Sequence, residues 1–214
     1  MVNEPAIKRV VTFIDGQNLF YAVRECFGYT YPNTDARALS LRICELQGWS
    51  LTQVRFYTGV PDKLNNPVWH DFWASKKTEM GRLGIKSFTR ALRYRKKTVK
   101  VTDRFEVRFL AGEEKGIDVR IAIDIIRMAH HNEYEIALIF SQDQDLSEVA
   151  KEVRAIGEEQ ERWIKVACAF PTSPKANNPR GINHTNWIPF DQKTYDQCLD
   201  PVDYRMNKLK AERA

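Results

Sequence analysis

The chain has 214 residues, of which 43% are hydrophobic and 29% are charged, a composition typical of one globular domain with a substantial core. Its net charge of +5 favours an anionic partner, and nucleic acid is a better candidate than a membrane surface. No apolar run approaches the length of a membrane span, and the four cysteines lack zinc spacing. Together these features predict a soluble, cytoplasmic protein with no membrane partner.

Strand-like and helix-like segments alternate along the chain, which predicts an α/β fold with a mainly parallel central sheet flanked by helices. The hydrophobic pattern predicts strands at 9–14, 53–58, 136–140 and 163–170, and helices at 19–27, 37–47, 66–83, 117–131 and 146–156. Residues 85–94 and 105–110 are expected to form two strands or a long hairpin. Residues 171–189 are rich in Pro, Asn and Gly and are expected to be irregular, with partial helix in 191–210.

Acidic residues directly follow two of the predicted strands. Asp15 follows the apolar run at 10–14, and Asp143 and Asp145 follow the run at 136–140. Because the carboxyl ends of parallel strands lie at one edge of an α/β sheet, these side chains are expected to share a cleft. Grouped carboxylates repel one another and lose solvation, so the pattern favours a divalent cation that supplies the opposite charge.

Two further acids lie in the helix predicted at 117–131. Asp118 lies in its first turn, after Lys115-Gly116, where the alternative role is a simple interaction with the helix dipole. Asp124 is six residues further on and lies elsewhere around the helix, so it is a second-tier metal ligand. Sites built from oxygen ligands alone favour Mg²⁺ or Mn²⁺.

Other chemistries that use strand-end acids or phosphate loops lack their motifs. Gln17 stands where a phosphoaspartate phosphatase needs a second Asp, and Asp15 stands where a Toprim site needs Glu. The chain has no GxxxxGK[ST], GxGxxG or GxSxG motif, and its four histidines lack zinc spacing. A carboxylate metal site is therefore the favoured hypothesis.

Three segments together resemble the NYN domain of the PIN-like nucleases, in particular its LabA-like members. They are FIDGQNLF at 13–20, KGIDVRIAIDII at 115–126 and SQDQDL at 141–146, in the order of the family. The resemblance spans roughly residues 8–170. The chain departs from the family pattern at Gln142, where Gly is common, and at Leu146, where Phe is usual.

The resemblance implies a Rossmann-like PIN fold with an NYN domain at 1–170 and a C-terminal extension at 171–214 packed on the same domain. It also implies which residues hold Mg²⁺ or Mn²⁺, namely Asp15, Asp118, Asp143 and Asp145. Asn18 would lie beside them and orient a water or phosphate oxygen, or it would only cap the following helix.

A strongly basic strip precedes the second motif. Ten Lys and Arg residues lie between Arg82 and Arg108 and two acids oppose them, which gives the strip a local charge of +8. Phe88 and Tyr94 interleave with the cations, as in surfaces that stack nucleobases beside phosphate contacts. The candidate RNA-binding residues are Arg90, Arg93, Arg95, Lys96, Lys97 and Lys115. The alternative is a solvated hairpin insertion whose charges protect an edge strand.

The favoured hypothesis is a metal-dependent endoribonuclease that hydrolyses single-stranded or structured RNA. Its catalytic residues would be Asp15, Asn18, Asp118, Asp143 and Asp145. Two alternatives stay open: an RNA-binding or regulatory protein with weak or vestigial cleavage, and a phosphohydrolase that acts on small phosphate esters. The sequence also leaves open whether the protein forms a homo-oligomer.

Overall fold

A six-stranded parallel sheet forms the centre of the computed structural model, which describes residues 3–102 and 105–205. The strands of this sheet are β1 (Arg9–Asp15), β2 (Ser50–Val60), β3 (Lys86–Ala91), β6 (Ile136–Phe140), β7 (Lys165–Pro171) and β8 (Asn186–Phe190). The strands β4 (Arg93–Thr102) and β5 (Phe105–Glu113) form a separate antiparallel hairpin. The predicted α/β fold with a parallel central sheet is confirmed.

Helices cover both faces of the sheet. They are α1 (Gly16–Phe27), α2 (Ala36–Gln47), α3 (Pro67–Arg82), α4 (Ile117–His130), α5 (Ser147–Glu159) and α6 (Gln192–Asp196). Within the two described ranges, no helix combines the length and apolar character needed to cross a membrane.

The strand order places a ligand-binding edge at the centre of the sheet. The order is β3-β2-β1-β6-β7-β8, so the chain builds outward from β1 in one direction and from β6 in the other. This is the doubly wound order, and its switch point lies between β1 and β6. Ligands of such folds bind outside the carboxyl ends of the strands at this point.

The two central strands are apolar because helices pack on both of their faces. Val10 and Ile14 of β1 lie in the core beneath α1, α2 and α3, whereas Phe13 lies in the core beneath α4 and α5. This alternation follows from the two-residue period of a strand. Burying each such side chain contributes about 1.5–3 kcal/mol relative to leaving it exposed. The core therefore holds the carboxyl ends of β1 and β6 in fixed register.

The segment between α3 and α4 differs from its prediction. The strand expected at 85–94 is divided, because β3 ends at Ala91 and the chain turns at Leu92, whose N–H donates to Val60 O at 3.0 Å. Residues 95–102, expected to connect two strands, are themselves strand, and they pair with β5. The helix expected to end at Gly157 continues to Glu159, and within it the missing side chain of Gly157 leaves room for Ile164.

A sixth strand forms in the stretch that was predicted to be irregular. β8 pairs in parallel with β7, and its Ile188 and Phe190 are buried in the core. Pro189 is tolerated because β8 is an edge strand and an edge strand leaves one row of backbone groups unpaired. Part of the predicted C-terminal extension thus belongs to the central sheet. Residues 206–214 of that extension lie outside the described residues.

Candidate metal centre

A cleft of about 300 Å³ opens at the switch point between β1 and β6. Its lining residues come from the start of α1, the start of α4 and the loop after β6, and they are Asp15, Gln17, Asn18, Tyr21, Glu114, Lys115, Gly116, Ile117, Asp118 and Asp143. Among the predicted site residues, the structure brings Asp15, Asn18, Lys115, Asp118 and Asp143 together here. It adds Glu114, and it places Asp124 and Asp145 outside the lining.

Asp15, the last residue of β1, is 6% exposed. Its Oδ1 accepts the backbone N–H of Asn18 at 3.0 Å, which caps α1, and its Oδ2 accepts the Ser141 hydroxyl at 3.5 Å. Burial raises the pKa of Asp15 to about 6, and the charge of Asp143 adds to the rise. The carboxylate is therefore held in place, and its ionisation is costly without a cation.

Asn18 connects the start of α1 to the loop after β6. Its Oδ1 accepts the backbone N–H of Gln142 at 2.9 Å, a contact between residues 124 positions apart in the chain. Because Asp15 supplies the cap of α1, the alternative in which Asn18 only caps that helix is not supported. Asn18 positions the loop after β6 against the start of α1.

The Asp143-Gln144-Asp145 spacing aims one carboxylate, not two, at the cleft. Asp143 Oδ1 accepts the backbone N–H of Asp145 at 3.0 Å and thereby caps a 3₁₀ turn at Gln144–Leu146. In such a turn about three residues complete a full rotation, so residues two apart point in different directions. Asp145 is exposed and does not line the cleft. Its predicted role as a metal ligand requires this turn to rearrange.

Glu114 is a member of the site that the sequence analysis did not identify. Its Oε2 accepts the backbone N–H of Gly59 at the end of β2. Burial raises the pKa of Glu114 to about 7, and the charges of Asp15 and Asp118 contribute. A Cβ at Gly59 would lie 2.8 Å from Glu114 Oε2, so glycine permits this close approach. The available signal was an acid four residues before Asp118 in the segment EKGID.

Asp118 is presented to the cleft by the start of α4. The helix begins after Gly116, whose φ of 70° is in the left-handed region that favours glycine. Asp118 is half-buried and lines the cleft. Its position fits both the interaction with the helix dipole and a role as a ligand in the cleft.

Asp124 lies elsewhere, in a buried ionic cluster. Its carboxylate is paired with Arg55 at 2.7 Å and Arg120 at 2.9 Å, and it accepts the Tyr57 hydroxyl at 2.8 Å. Burial alone would raise the pKa of Asp124, but the hydrogen bonds from Arg55 and Tyr57 outweigh it and the net pKa is lowered. Because two guanidinium groups already compensate its charge, the second-tier prediction of a metal ligand at Asp124 is not supported.

The carboxylates of the cleft fit a hard divalent cation that is also bound by water. Within the described residues, no three Asp, Glu, His or Cys side chains converge closely enough to enclose an ion. The lining acids nevertheless offer only oxygen, the donor that Mg²⁺ and Mn²⁺ prefer, and Mg²⁺ is typically bound through one or two carboxylates plus water and phosphate. The raised pKa values of Asp15 and Glu114 reflect buried negative charge that a cation would compensate.

The predicted basic strip reaches the cleft at one point and extends away along the hairpin. Arg90 Nη1 donates to Lys115 O at 3.4 Å, and Lys115 lines the cleft. On β4, Arg95 and Lys97 are exposed and paired with Glu113 at 3.7 and 2.9 Å. Two members of the strip, Asp103 and Arg104, lie outside the described residues.

The aromatic residues of the strip are engaged with the protein itself. Phe88 packs against Tyr57, and the guanidinium groups of Arg90 and Arg120 lie 5.6 and 4.9 Å from its ring centroid. The Tyr94 hydroxyl accepts the backbone N–H of Asp62 at 3.3 Å. Both rings are partly buried by these contacts, and base stacking on them stays a prediction.

Two glutamines bind the loop after β6 to a C-terminal segment. Gln142 Nε2 donates to the carbonyl oxygens of Asn178 and Arg180, both at 2.8 Å. Gln144 Nε2 donates to Gly181 O at 3.1 Å, and its Oε1 accepts the Asn183 N–H at 3.1 Å. Residues 178–183 thus restrain the loop that carries Asp143. The departure from the family pattern at position 142 supplies half of these contacts.

Comparison with known proteins identifies the domain. The family model of the NYN domain matches residues 9–165. No curated protein matches the chain in sequence. Among solved structures, a protein of unknown function from Vibrio parahaemolyticus is 16% identical with a TM-score of 0.54, over 92% of this chain and 99% of that chain. MurG of Acinetobacter baumannii is 13% identical with a TM-score of 0.31, over 85% of this chain and 45% of that chain. The Vibrio likeness concerns the fold alone.

Proposed function

This chain belongs to the NYN domain family of PIN-like, nuclease-type domains, and we propose that it is a metal-dependent endoribonuclease. The observation that carries the proposal is the cleft at the switch point of the sheet, where four carboxylates gather beside Lys115. An RNA nuclease needs acidic oxygens that bind a cation and basic groups that bind phosphate, and both kinds of group line this cleft.

Each residue of the cleft has a proposed role. Asp15, Asp118 and Asp143 would hold Mg²⁺ or Mn²⁺, with Glu114 beside them. When bound, the cation activates water and neutralises negative charge at the phosphodiester. Asn18 positions the Asp143 loop through Gln142, and its place beside Asp15 suits it to orient a water or phosphate oxygen.

The substrate contacts would come from the basic residues that begin at the cleft. Lys115 and Arg90 are in contact and would bind the phosphates nearest to the cation. The exposed cations of β4, which are Arg93, Arg95, Lys96 and Lys97, would bind phosphates further along the strand. A long basic surface suits a polynucleotide better than a small phosphate ester.

A cleavage assay with end analysis tests the proposal. Total RNA and single-stranded DNA are incubated with the purified protein in Mg²⁺, Mn²⁺ or EDTA. Metal-dependent cleavage of RNA that leaves 5′-phosphate and 3′-hydroxyl ends is expected, because a water nucleophile does not use the RNA 2′-hydroxyl. Ends that carry a 2′,3′-cyclic phosphate would contradict the mechanism. Hydrolysis of a chromogenic phosphomonoester without RNA cleavage would favour a small-substrate phosphohydrolase.

A second candidate function is RNA binding without efficient cleavage. The observation that favours it is the exposed position of Asp145, which leaves the described carboxylates short of a closed metal cage. Bound metal and bound RNA without product would identify this function.

The LabA-like branch, the domain division at residue 170, a cytoplasmic location and a homo-oligomer are likewise proposals.

A further inference from the structure

A second cavity, of about 290 Å³, adjoins the acidic cleft and shares Gln17 and Tyr21 with it. Rings and alkyl groups in its walls come from Phe20, Tyr21, Pro61, Trp69, Trp73 and Leu92, and polar side chains come from Gln17, Arg24, Thr30 and Thr58. In the described part of the chain, no acidic side chain lines this cavity, and Arg24 is its one charged residue. An acidic cleft and a cavity with aromatic walls and one cation therefore lie side by side at the carboxyl ends of the strands.

The end of β2 is the partition between the two spaces. The Gly59 N–H donates to Glu114 of the acidic cleft, and Leu92 of the second cavity packs on the same residue. A Cβ at Gly59 would lie 2.8 Å from Glu114 Oε2 and 2.4 Å from Leu92 Cδ2. Gln17 and Tyr21 line both spaces, so a single bound molecule can extend across this shared rim from the cleft into the cavity.

Beside the shared rim, an arginine lies over two aromatic rings. The Arg24 guanidinium lies 4.9 Å from the ring centroid of Tyr21 and 5.7 Å from that of Phe20. Tyr21 is 48% exposed, so its ring is accessible from solvent. Aromatic rings beside a guanidinium group are a combination that stacks nucleobases and attracts the adjoining phosphates. The amide of Gln17 adds a donor and an acceptor for the edge of a base.

We propose that this cavity is a base pocket, which binds one unpaired nucleobase of the RNA strand whose phosphodiester lies in the acidic cleft. The inference rests on the function proposed above, because it takes the cleft as the place of the phosphodiester. A paired base must leave its stack before it can enter such a pocket. The preferred substrate is therefore single-stranded RNA or an unpaired region of a folded RNA.

Binding measurements on Tyr21 variants test the base pocket. They use full-length protein with Asp143→Asn, so that the strand is not cut, and a short fluorescent RNA, either single-stranded or annealed to its complement, in Mg²⁺. Tyr21→Ala is expected to weaken single-strand binding by about tenfold, the effect of losing one stacked base. Tyr21→Phe keeps the ring and is expected to bind within about twofold of Tyr21. Duplex binding is expected to be the same for all three.

A matched control is available at the opposite end of the sheet. Trp163 lies 4.9 Å from Lys165 Nζ, which reproduces the cation–ring pair of Arg24 and Tyr21 away from the cleft, beside the amino ends of β6 and β7. Trp163→Ala is expected to leave single-strand binding unchanged. A second arm uses single-stranded RNAs with one abasic position moved along the strand, and one position is expected to reproduce the loss caused by Tyr21→Ala.

Each contrary result overturns the base pocket. These results are an unchanged affinity of Tyr21→Ala for the single strand, an equal loss on the duplex, or a similar loss with Trp163→Ala. Cleavage by the parent protein is measured separately and decides the proposed endoribonuclease function. RNA that depends on Tyr21 for binding but is not cut by the parent protein would therefore contradict the nuclease and leave the base pocket supported.

Discussion

Asn18 Oδ1 accepts the backbone N–H of Gln142 at 2.9 Å, and this hydrogen bond spans the switch point of the parallel sheet. Asn18 belongs to the helix that follows β1, whereas Gln142 precedes Asp143 in the loop that follows β6. The bond therefore holds the loop that carries Asp143 against the start of the helix that follows Asp15. A positioning residue of this kind acts on the site through the backbone.

Replacing Asn18 should loosen the Asp143 loop. Asn18→Ala leaves the Gln142 N–H without its acceptor, which should lower the free energy of unfolding by about 1 kcal/mol. RNA cleavage should fall by about tenfold to a hundredfold, because small displacements of reacting groups are costly. The specific readout is faster hydrogen exchange at the Gln142 amide. Asn18→Asp, which retains an acceptor oxygen, should keep that amide protected, and equal exchange in both variants would contradict the assigned role.

Asp143→Asn should abolish RNA cleavage while the fold is retained. The substitution is nearly isosteric and removes one negative charge from a cleft where burial has already raised the pKa of Asp15. The melting temperature of the metal-free variant should equal or slightly exceed that of the parent. Circular dichroism and a cleavage assay on protein free of contaminating nuclease measure both effects. Parental activity in the variant would remove Asp143 from the metal site.

Activity should depend on Mg²⁺ or Mn²⁺. In the described site the cleft offers carboxylate and amide oxygens, so a hard cation is the expected electrophile. EDTA should stop cleavage and either metal should restore it, whereas Zn²⁺ should support less activity because no His or Cys lines the described cleft. Full activity in chelator would exclude the proposed mechanism.

The stability of the metal-free protein should reveal the buried charge of Asp15. Its pKa is about 6, above the ordinary value of 3.8, so at intermediate pH the folded protein binds more protons than the unfolded chain. Stability from this group is therefore lost as pH rises from about 4 to about 6. Asp15→Asn should be more stable than the parent in EDTA at pH 7, by about 2–6 °C in melting temperature.

The pH dependence supplies the control for that comparison. At pH 4 the parent carboxyl is largely protonated, so the advantage of Asp15→Asn should shrink. Saturating Mg²⁺ at pH 7 should reduce it as well, since a bound cation stabilises the ionised parent. An advantage that is independent of both pH and metal would show that the asparagine acts through packing and not through charge.

Strand ends were predictable from the sequence, whereas turn geometry and long-range contacts were not. Asp15 and Asp143 follow apolar runs, and a parallel sheet brings the carboxyl ends of such runs together. The outward position of Asp145 depends on the 3₁₀ turn, and the inward position of Glu114 depends on its contact with Gly59. Neither the 3₁₀ turn nor the contact with Gly59 produces a periodic pattern of residue types, so the sequence does not indicate either position.

The strand β8 and the prediction of base stacking show the same difference between what the sequence indicates and what only the structure reveals. The segment that contains Pro189 lacks the signature of a strand and becomes one by pairing with β7. Phe88 and Tyr94 interleave with cations in the sequence, but this spacing does not indicate which face of a strand packs against the protein. Phe20, the last residue of the first motif, and Tyr21, which follows it, line the exposed cavity, and no spacing among cations marks them in the sequence.

Neutralising the cations of β4 should weaken RNA binding across sequences. Changing Arg93, Arg95, Lys96 and Lys97 to Ala should flatten the plot of log affinity against log salt by up to about 0.7 per lost phosphate contact on single strands. Cleavage at saturating RNA should change less than affinity, because these residues position the substrate.

Titrations at three salt concentrations measure the slope for parent and variant. The control replaces Lys151 and Arg154, two exposed cations of α5, and should leave the slope nearly unchanged. Equal slopes for the parent and the β4 variant would show that the cations of the hairpin are solvated and do not contact RNA phosphates. The basic groove would then be sought along Lys63, Lys77 and Arg90, which line a neighbouring cavity.

The hydrogen bonds from Gln142 and Gln144 to residues 178–183 also imply an order of events during synthesis of the chain. During synthesis the ribosome produces every acid of the cleft before it produces this restraining segment. The nascent chain therefore carries the complete set of candidate ligands while the loop around Asp143 still lacks its last support. If the chain is the nuclease proposed above, it becomes able to cut RNA only late in synthesis, after the three motifs of the family have already been made.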